Sequence, residues 1–234
     1  MKISPDTLSV FKNFASINSN LIVKVGNTIR TISPGKNILA EATVAETFDT
    51  EFGIFDLSQF LAAVSLFKDP DFDFRQNHVV IRSANTKASV KYYYSSPELL
   101  VSSDKKLNMP AAKVNFDLSM KDLNELTKAA SVLGVPDLAL ESTADERMVL
   151  RVFNRKDPTG HDYCIDVGPN ETGSEFQFLF KVENLRLLPG DYSVSVSDKK
   201  VAQFESQSTD VVYWISLETE STYTAGKKTH ATTR

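Results

Sequence analysis

Apolar residues recur with helical spacing at Leu8, Phe11, Phe14 and Ala15, while Ser9, Lys12, Asn13 and Ser16 fall on the opposite face. Ser4 stands where a cap belongs and Pro5 where the first turn begins, so the pattern predicts a helix over residues 5–17. Its polar face is unusual. It offers small hydroxyls, amides and one lysine, where a solvated helix carries charges of both signs. A second stripe, Leu57, Phe60, Leu61 and Val64, follows a capping Asp56. A third runs through Leu123, Leu126, Ala130 and Leu133 behind the pair Ser119 and Asp122. A fourth, shorter one in FKVENLRLLPGDY is stopped by Pro189-Gly190.

Elsewhere the period is two. LIVKV (21–25), ILAEATV (38–44), FDTEFGIF (48–55), HVVIRS (78–83) and ASVKYYYS (88–95) predict strands in the first half. DLALES (137–142), MVLRVFN (148–154), YCIDV (163–167), FQFLF (176–180), YSVSVS (192–197), VAQFES (201–206) and VVYWISLE (211–218) do so in the second. Their alternation is that of half-buried antiparallel strands, which makes the fold class α+β with helices packed on antiparallel sheets.

The order of these pieces repeats. Helix, strands, helix, strands runs once to about residue 94 and again from about residue 113, an offset near the size of one domain. Two similar domains of two helices each are expected, over residues 1–103 and 113–220. The stretch SSPELLVSSDKKLNMPAA (95–112) reads as an extended connector that ends at 104–112, and residues 221–234 read as a polar, flexible tail.

With 24% charged and 41% hydrophobic residues in 234, the balance is that of a globular protein. No apolar run approaches the roughly 20 residues of a membrane span, so no membrane role is expected, and Asp6 in a short polar start argues against a signal peptide. The single cysteine, Cys164, suits a reducing cytosol. A net charge of −4 means that any nucleic-acid role requires local positive faces on an acidic body.

Candidate chemistry is sparse. Asp69, Asp71 and Asp73 have calcium-loop spacing, but Phe74 and Val80 stand where that loop needs glycine and glutamate, so a solvated acidic turn is expected. His161 and Cys164 lie three apart on a strand and point to opposite faces, which argues against zinc. GKKT (226–229) lacks the upstream glycine of a phosphate loop. No nucleophilic triad or convergent carboxylate pair is legible, so neither a catalytic role nor a cofactor is expected.

MKISPDTLSVFKNFASINSNLIVK, IFDLSQFLAAVSL, and NLRLLPGDY followed by KVAQFE resemble successive segments of the sliding clamps of T-even-like bacteriophages, the DNA polymerase processivity factors. FKNFASINS and the PGDY turn carry the likeness most specifically, and it runs to about Ser221. The resemblance implies a homotrimeric ring whose helices line a hole around double-stranded DNA. Twelve helices at roughly 9 Å spacing enclose a hole of about 24 Å, wide enough for a duplex about 20 Å across. It also implies as partners the replicative DNA polymerase, an ATP-dependent clamp loader and late-transcription factors, in the cytoplasm of the infected bacterial host. Lysine and arginine facing such a hole attract phosphates without reading sequence. The candidates are Lys12 on the first helix, Lys121 and Lys128 on one face of the third, Arg186 in the fourth and Lys181 just before it. Asp122 and Glu125 dilute the third helix, and a solvated lysine needs no ligand. Leu107, Met109, Val212 and Trp214 fit either a partner-peptide pocket or ordinary core packing. The competing reading is a β-rich structural phage protein of a tail or baseplate.

Overall fold

The computed structural model describes residues 1–83, 87–102 and 107–226, and the chain forms two compact units. The connector residues 104–106 and the end of the expected tail, 227–234, lie outside the described residues.

The first unit comprises Met1–Lys106 together with Arg186–Leu188 and Thr209–Tyr213. Its elements are α1 (Pro5–Ile17), β1 (Leu21–Val23), β2 (Gly26–Ile32), β3 (Ile38–Phe48), β4 (Phe52–Ile54), α2 (Leu57–Ser65), β5 (Asp71–Phe74), β6 (His78–Arg82) and β7 (Ser89–Tyr93). Antiparallel pairing gives the order β4-β1-β2-β3 in one sheet and β5-β6-β7 in another. The core lies between these sheets and the helices, where Phe11, Phe14, Phe60 and Phe72 are at most 1% exposed. Val10 and Ile17 are buried, whereas Leu8 and Ala15 are half-buried, so the packed stripe of α1 is rotated from the one read off the sequence.

The acidic run at 69–73 is not a solvated turn throughout, because Asp71–Phe74 pairs along its length with β6 as an edge strand. Each carboxylate there meets a cation: Asp69 with Lys2 at 2.8 Å, Asp71 with the Met1 amine at 3.1 Å, and Asp73 with Arg75 at 2.7 Å.

The second unit comprises Leu107–Leu185, Pro189–Ser208 and Trp214–Arg234. It holds β8 (Val114–Leu118), α3 (Met120–Leu133), β9 (Asp137–Ser142), β10 (Arg147–Phe153), β11 (Tyr163–Pro169), β12 (Glu175–Lys181), β13 (Tyr192–Ser197) and β14 (Val201–Ser206). β15 (Val211–Ser216) begins in the first unit and ends in this one, and β16 (Thr222–Thr224) closes the series. One sheet runs β11-β10-β9-β12-β16, and β13 pairs with both β14 and β8. Along β10, Met148, Leu150 and Val152 face the core while Arg147, Val149, Arg151 and Phe153 face outward. α3 packs over β10 and β11, and Leu123 and Leu126 meet Leu138, Leu150, Phe180 and Phe204.

Two expectations change here. The fourth helix is a single 3-10 turn, Val182–Asn184, leaving three α-helices among the described residues instead of two per domain. No side chain caps that turn, and the N–H of Val182 goes to the carbonyl of Pro136 at 2.9 Å. Leu185 leaves helical geometry at φ −79°, ψ 53°, and Pro189 disfavours it at Leu188, so the turn is not extended. The tail is also ordered at its start: β16 pairs with β12 from Glu175 to Gln177, and the Tyr223 ring lies 6.2 Å from that of Phe178.

Candidate functional site

α1 and α2 pack side by side through Phe11 and Phe60, whose ring centroids are 6.4 Å apart. The Ser4 hydroxyl accepts from the Thr7 N–H at 3.2 Å, and Asp56 accepts from the Gln59 N–H at 2.9 Å, so both starts are capped as the sequence requires. Glu46 on β3 adds a second hold on α1 by accepting from the Ser4 N–H at 2.5 Å and from the Thr7 hydroxyl. Burial pushes the Glu46 carboxyl up, but these hydrogen bonds outweigh it and hold the group below its ordinary value.

Between the two helices lies a groove of about 740 Å³, with Leu8, Ala15, Leu61 and Phe67 along its apolar floor. Ser9, Ser16, Ser58 and Ser65 edge it, and Lys12 is its one charged residue. Lys12 is exposed and meets no carboxylate among the described residues. A surface with so few fixed charges and so many rotatable hydroxyls can meet an anionic backbone through water without fixing its register.

Arg186, from far along the chain, sits in this first unit. Its guanidinium donates to the carbonyl of Ser16, and its own carbonyl accepts from the Asn13 amide at 3.1 Å. The side-chain amide oxygen of Asn13 accepts from the buried Tyr213 hydroxyl at 2.8 Å, and that hydroxyl accepts from the Leu188 N–H at 3.1 Å. Nothing in the local pattern of residues 180–192 points to these attachments.

In the second unit, Ser119 caps α3 by accepting from the Asp122 N–H at 3.0 Å while its hydroxyl donates to the Asp122 carboxylate at 2.7 Å. Gly134 ends the helix at φ 66°, a left-handed conformation that glycine adopts without strain. Lys121 and Lys128, two turns apart, are both exposed on one face, with Asn124 between them. Lys121 lies 3.9 Å from Glu125, which also accepts from the Tyr163 hydroxyl at 3.3 Å.

Lys181 is placed differently. Its ammonium lies 2.5 Å from the Asp137 carboxylate, which is 1% exposed, and Arg155 completes the cluster at 3.5 Å. Arg155 also reaches Glu218 at 2.5 Å and Glu220 at 3.3 Å. Of the four apolar candidates, Trp214 is buried and donates its indole N–H to Gln203 at 3.1 Å, while Leu107 is exposed. Among the described residues, no three His, Cys, Asp or Glu side chains converge as a metal site.

Residues 4–95 match the family described as DNA polymerase processivity factor, and residues 115–219 match that described as gp45 sliding clamp, C terminal. The chain is 30% identical over 222 residues to the sliding clamp of Vibrio phage KVP40, covering 93% of this chain and 99% of the relative. It is 28% identical to that of Escherichia phage RB69 and 27% to that of Enterobacteria phage T4, each covering 95% of this chain and 99% of the relative. Among solved structures, the proliferating cellular nuclear antigen of Entamoeba histolytica shares the fold at TM-score 0.66 and 11% identity, covering 91% of this chain and 94% of its own. A putative DNA polymerase III beta subunit from Eubacterium rectale does so at TM-score 0.65 and 16% identity, covering 94% of this chain and 65% of its own. A tail or baseplate role gains no support from these likenesses. The chain belongs to the phage sliding-clamp family, the processivity factors of DNA polymerases.

Proposed function

We propose that three copies of this chain close into a ring around duplex DNA and hold the replicative polymerase at the primer end. The observation that carries this reading is the collinear similarity to phage sliding clamps, which spans 99% of each relative. The mechanism is topological: a closed ring leaves DNA only by opening, so a tethered polymerase stays at high local concentration. The chain itself does no chemistry and needs no cofactor.

The lining of the hole comes from α1, α2 and α3, with Lys12, Lys121 and Lys128 as the phosphate-facing cations. Lys181 and Arg186 contribute less, because Asp137 and the Ser16 carbonyl already engage them. Ring closure joins the edge strands β7 and β11, whose outer sides carry the exposed Tyr93 and Tyr163. The further partners are an ATP-driven clamp loader and late-transcription proteins, in the cytoplasm of the infected bacterial host. The clamp of A. fulgidus, with TM-score 0.68, 11% identity and coverage of 92% of this chain and 96% of its own, was solved with the C-terminal region of FEN-1 bound. Capture of partner termini is the corresponding expectation for the polymerase here.

The test is primer extension on singly primed circular DNA with the cognate polymerase and loader. Longer products per binding event in the presence of the protein support the reading. Product lengths that the protein leaves unchanged overturn it.

A further inference from the structure

The geometry points to Arg186 as a positioning residue for α1, acting on the end of the helix and not as a ligand for phosphate. Resting on the DNA-encircling reading, this places Arg186 behind Lys12.

The last turn of any α-helix leaves carbonyl groups without intrahelical donors and carries the negative end of the helix dipole. α1 has no basic residue in its last turn and no glycine at its end, since Asn18 follows in an extended conformation. The usual remedies, a left-handed cap and a local lysine or arginine, are therefore both missing. Three carbonyls of this end have donors of other kinds. The Phe14 carbonyl accepts from the Asn18 N–H at 2.9 Å, that of Asn13 accepts from the Ser16 hydroxyl at 2.6 Å, and that of Ser16 accepts from the Arg186 guanidinium.

Arg186 is itself held. Asn13 donates to its carbonyl, the Tyr213 hydroxyl donates to Asn13, and the Leu188 N–H donates to that hydroxyl, so the loop of hydrogen bonds closes on residues 186–188. Asn13 follows Lys12 directly and Ser16 lies one turn beyond it, so both held residues stand on the turn next to the one that presents Lys12 to the groove. A cation at this carbonyl end stabilises the turn, and the clip around it fixes where the Lys12 ammonium is carried. The guanidinium that the sequence offers to DNA is engaged within the protein.

Two readouts on the full-length protein test this. In hydrogen exchange, Arg186→Ala is expected to speed the protected amides of the last turn of α1 about two- to fivefold, the size of a helix-end charge interaction, with Arg186→Lys restoring part of the protection. In binding to a short linear duplex between 50 and 200 mM salt, Lys12→Ala is expected to lower the log–log salt slope by about 0.9 for one lost phosphate contact. Arg186→Ala should then add no further change of slope in the Lys12→Ala background. Unchanged exchange in Arg186→Ala overturns the assignment, as does an additional loss of slope in the double variant. If Lys12→Ala alone leaves the slope untouched, the DNA-facing reading of α1 fails, and the exchange result still judges the cap.

Discussion

Asp137 is almost wholly withdrawn from water, with the Lys181 ammonium 2.5 Å away and the Arg155 backbone N–H donating to it at 3.1 Å. Removing Asp137 leaves the half-buried Lys181 ammonium without its carboxylate, while Arg155 keeps Glu218 and Glu220, so the cost falls at the low end for a buried pair, about 3 kcal/mol. Asp137→Ala is therefore expected to lower Tm by at least about 6 °C in a thermal melt. Lys121→Ala, which breaks only an exposed pair with Glu125, should leave Tm within about 2 °C of the parent. An equal drop in both would show that burial does not set the strength of these pairs. For DNA the ranking reverses. Lys12→Glu and Lys128→Glu should shorten clamp-dependent products and make synthesis more salt-sensitive, while Lys181→Gln should act through stability. Processivity untouched across salt in Lys12→Glu and Lys128→Glu would remove both residues from the interface.

At the scale of the element, α1 depends on β3 as well as on its own cap, because Glu46 receives both the Ser4 N–H and the Thr7 hydroxyl. Its carboxyl is held below the ordinary value of 4.5, so its contribution is complete above about pH 4.5 and is lost as pH falls through the lowered folded value. Glu46→Gln should lose about 1 kcal/mol at neutral pH, or ~2–4 °C in Tm, the group being only partly shielded from water. Melts of parent and variant should converge as pH falls from 4.5 through the lowered folded value; a gap that does not narrow at all on acidification would show that the charge of Glu46 is not what holds α1. This brace was invisible in the sequence, since Ser4 and Glu46 stand 42 positions apart and are brought together only by the folded sheet. The caps Ser4, Asp56 and Ser119 were legible because each acts within three residues of itself. Most strands were legible too, from alternation. β2, β5, β8 and β16 were not, since GNTIRTI, DFDF, VNFDL and TYT are short or rich in polar residues and take strand form from their neighbours. The fourth helix failed for the opposite reason: its apolar spacing suits a helix, but the backbone turns away from helical geometry at Leu185 and the Leu188 N–H donates to Tyr213. The same diversion explains Arg186, whose type suggested phosphate and whose surroundings supply a carbonyl.

At the scale of the whole molecule, the proposed ring requires each chain to offer two complementary edges, and β7 and β11 are edge strands of their respective sheets. β7 alternates exposed and half-buried residues, with Ser89, Lys91 and Tyr93 outward, and an edge so open invites pairing with another copy. β11 carries the single cysteine of the chain, Cys164, in an exposed position. A head-to-tail pairing of unlike edges closes into a ring where its rotation returns to the start, here proposed at three copies, whereas pairing of like edges gives a two-fold dimer. Light scattering over a dilution series should therefore find about 78 kDa, three chains of 26.0 kDa. Placing a partner for Cys164 on the other edge, with Ser89→Cys, Lys91→Cys and Tyr93→Cys made singly, then maps the register. Under mild oxidation at least one of the three should yield a covalent cyclic trimer on a non-reducing gel, and the parent should not. Dimers alone from all three, with a scattering mass near two chains, would assign the edges to a two-fold contact and exclude the ring. A trimeric mass with no cross-link in any of them would keep the ring and move its closure to other strands.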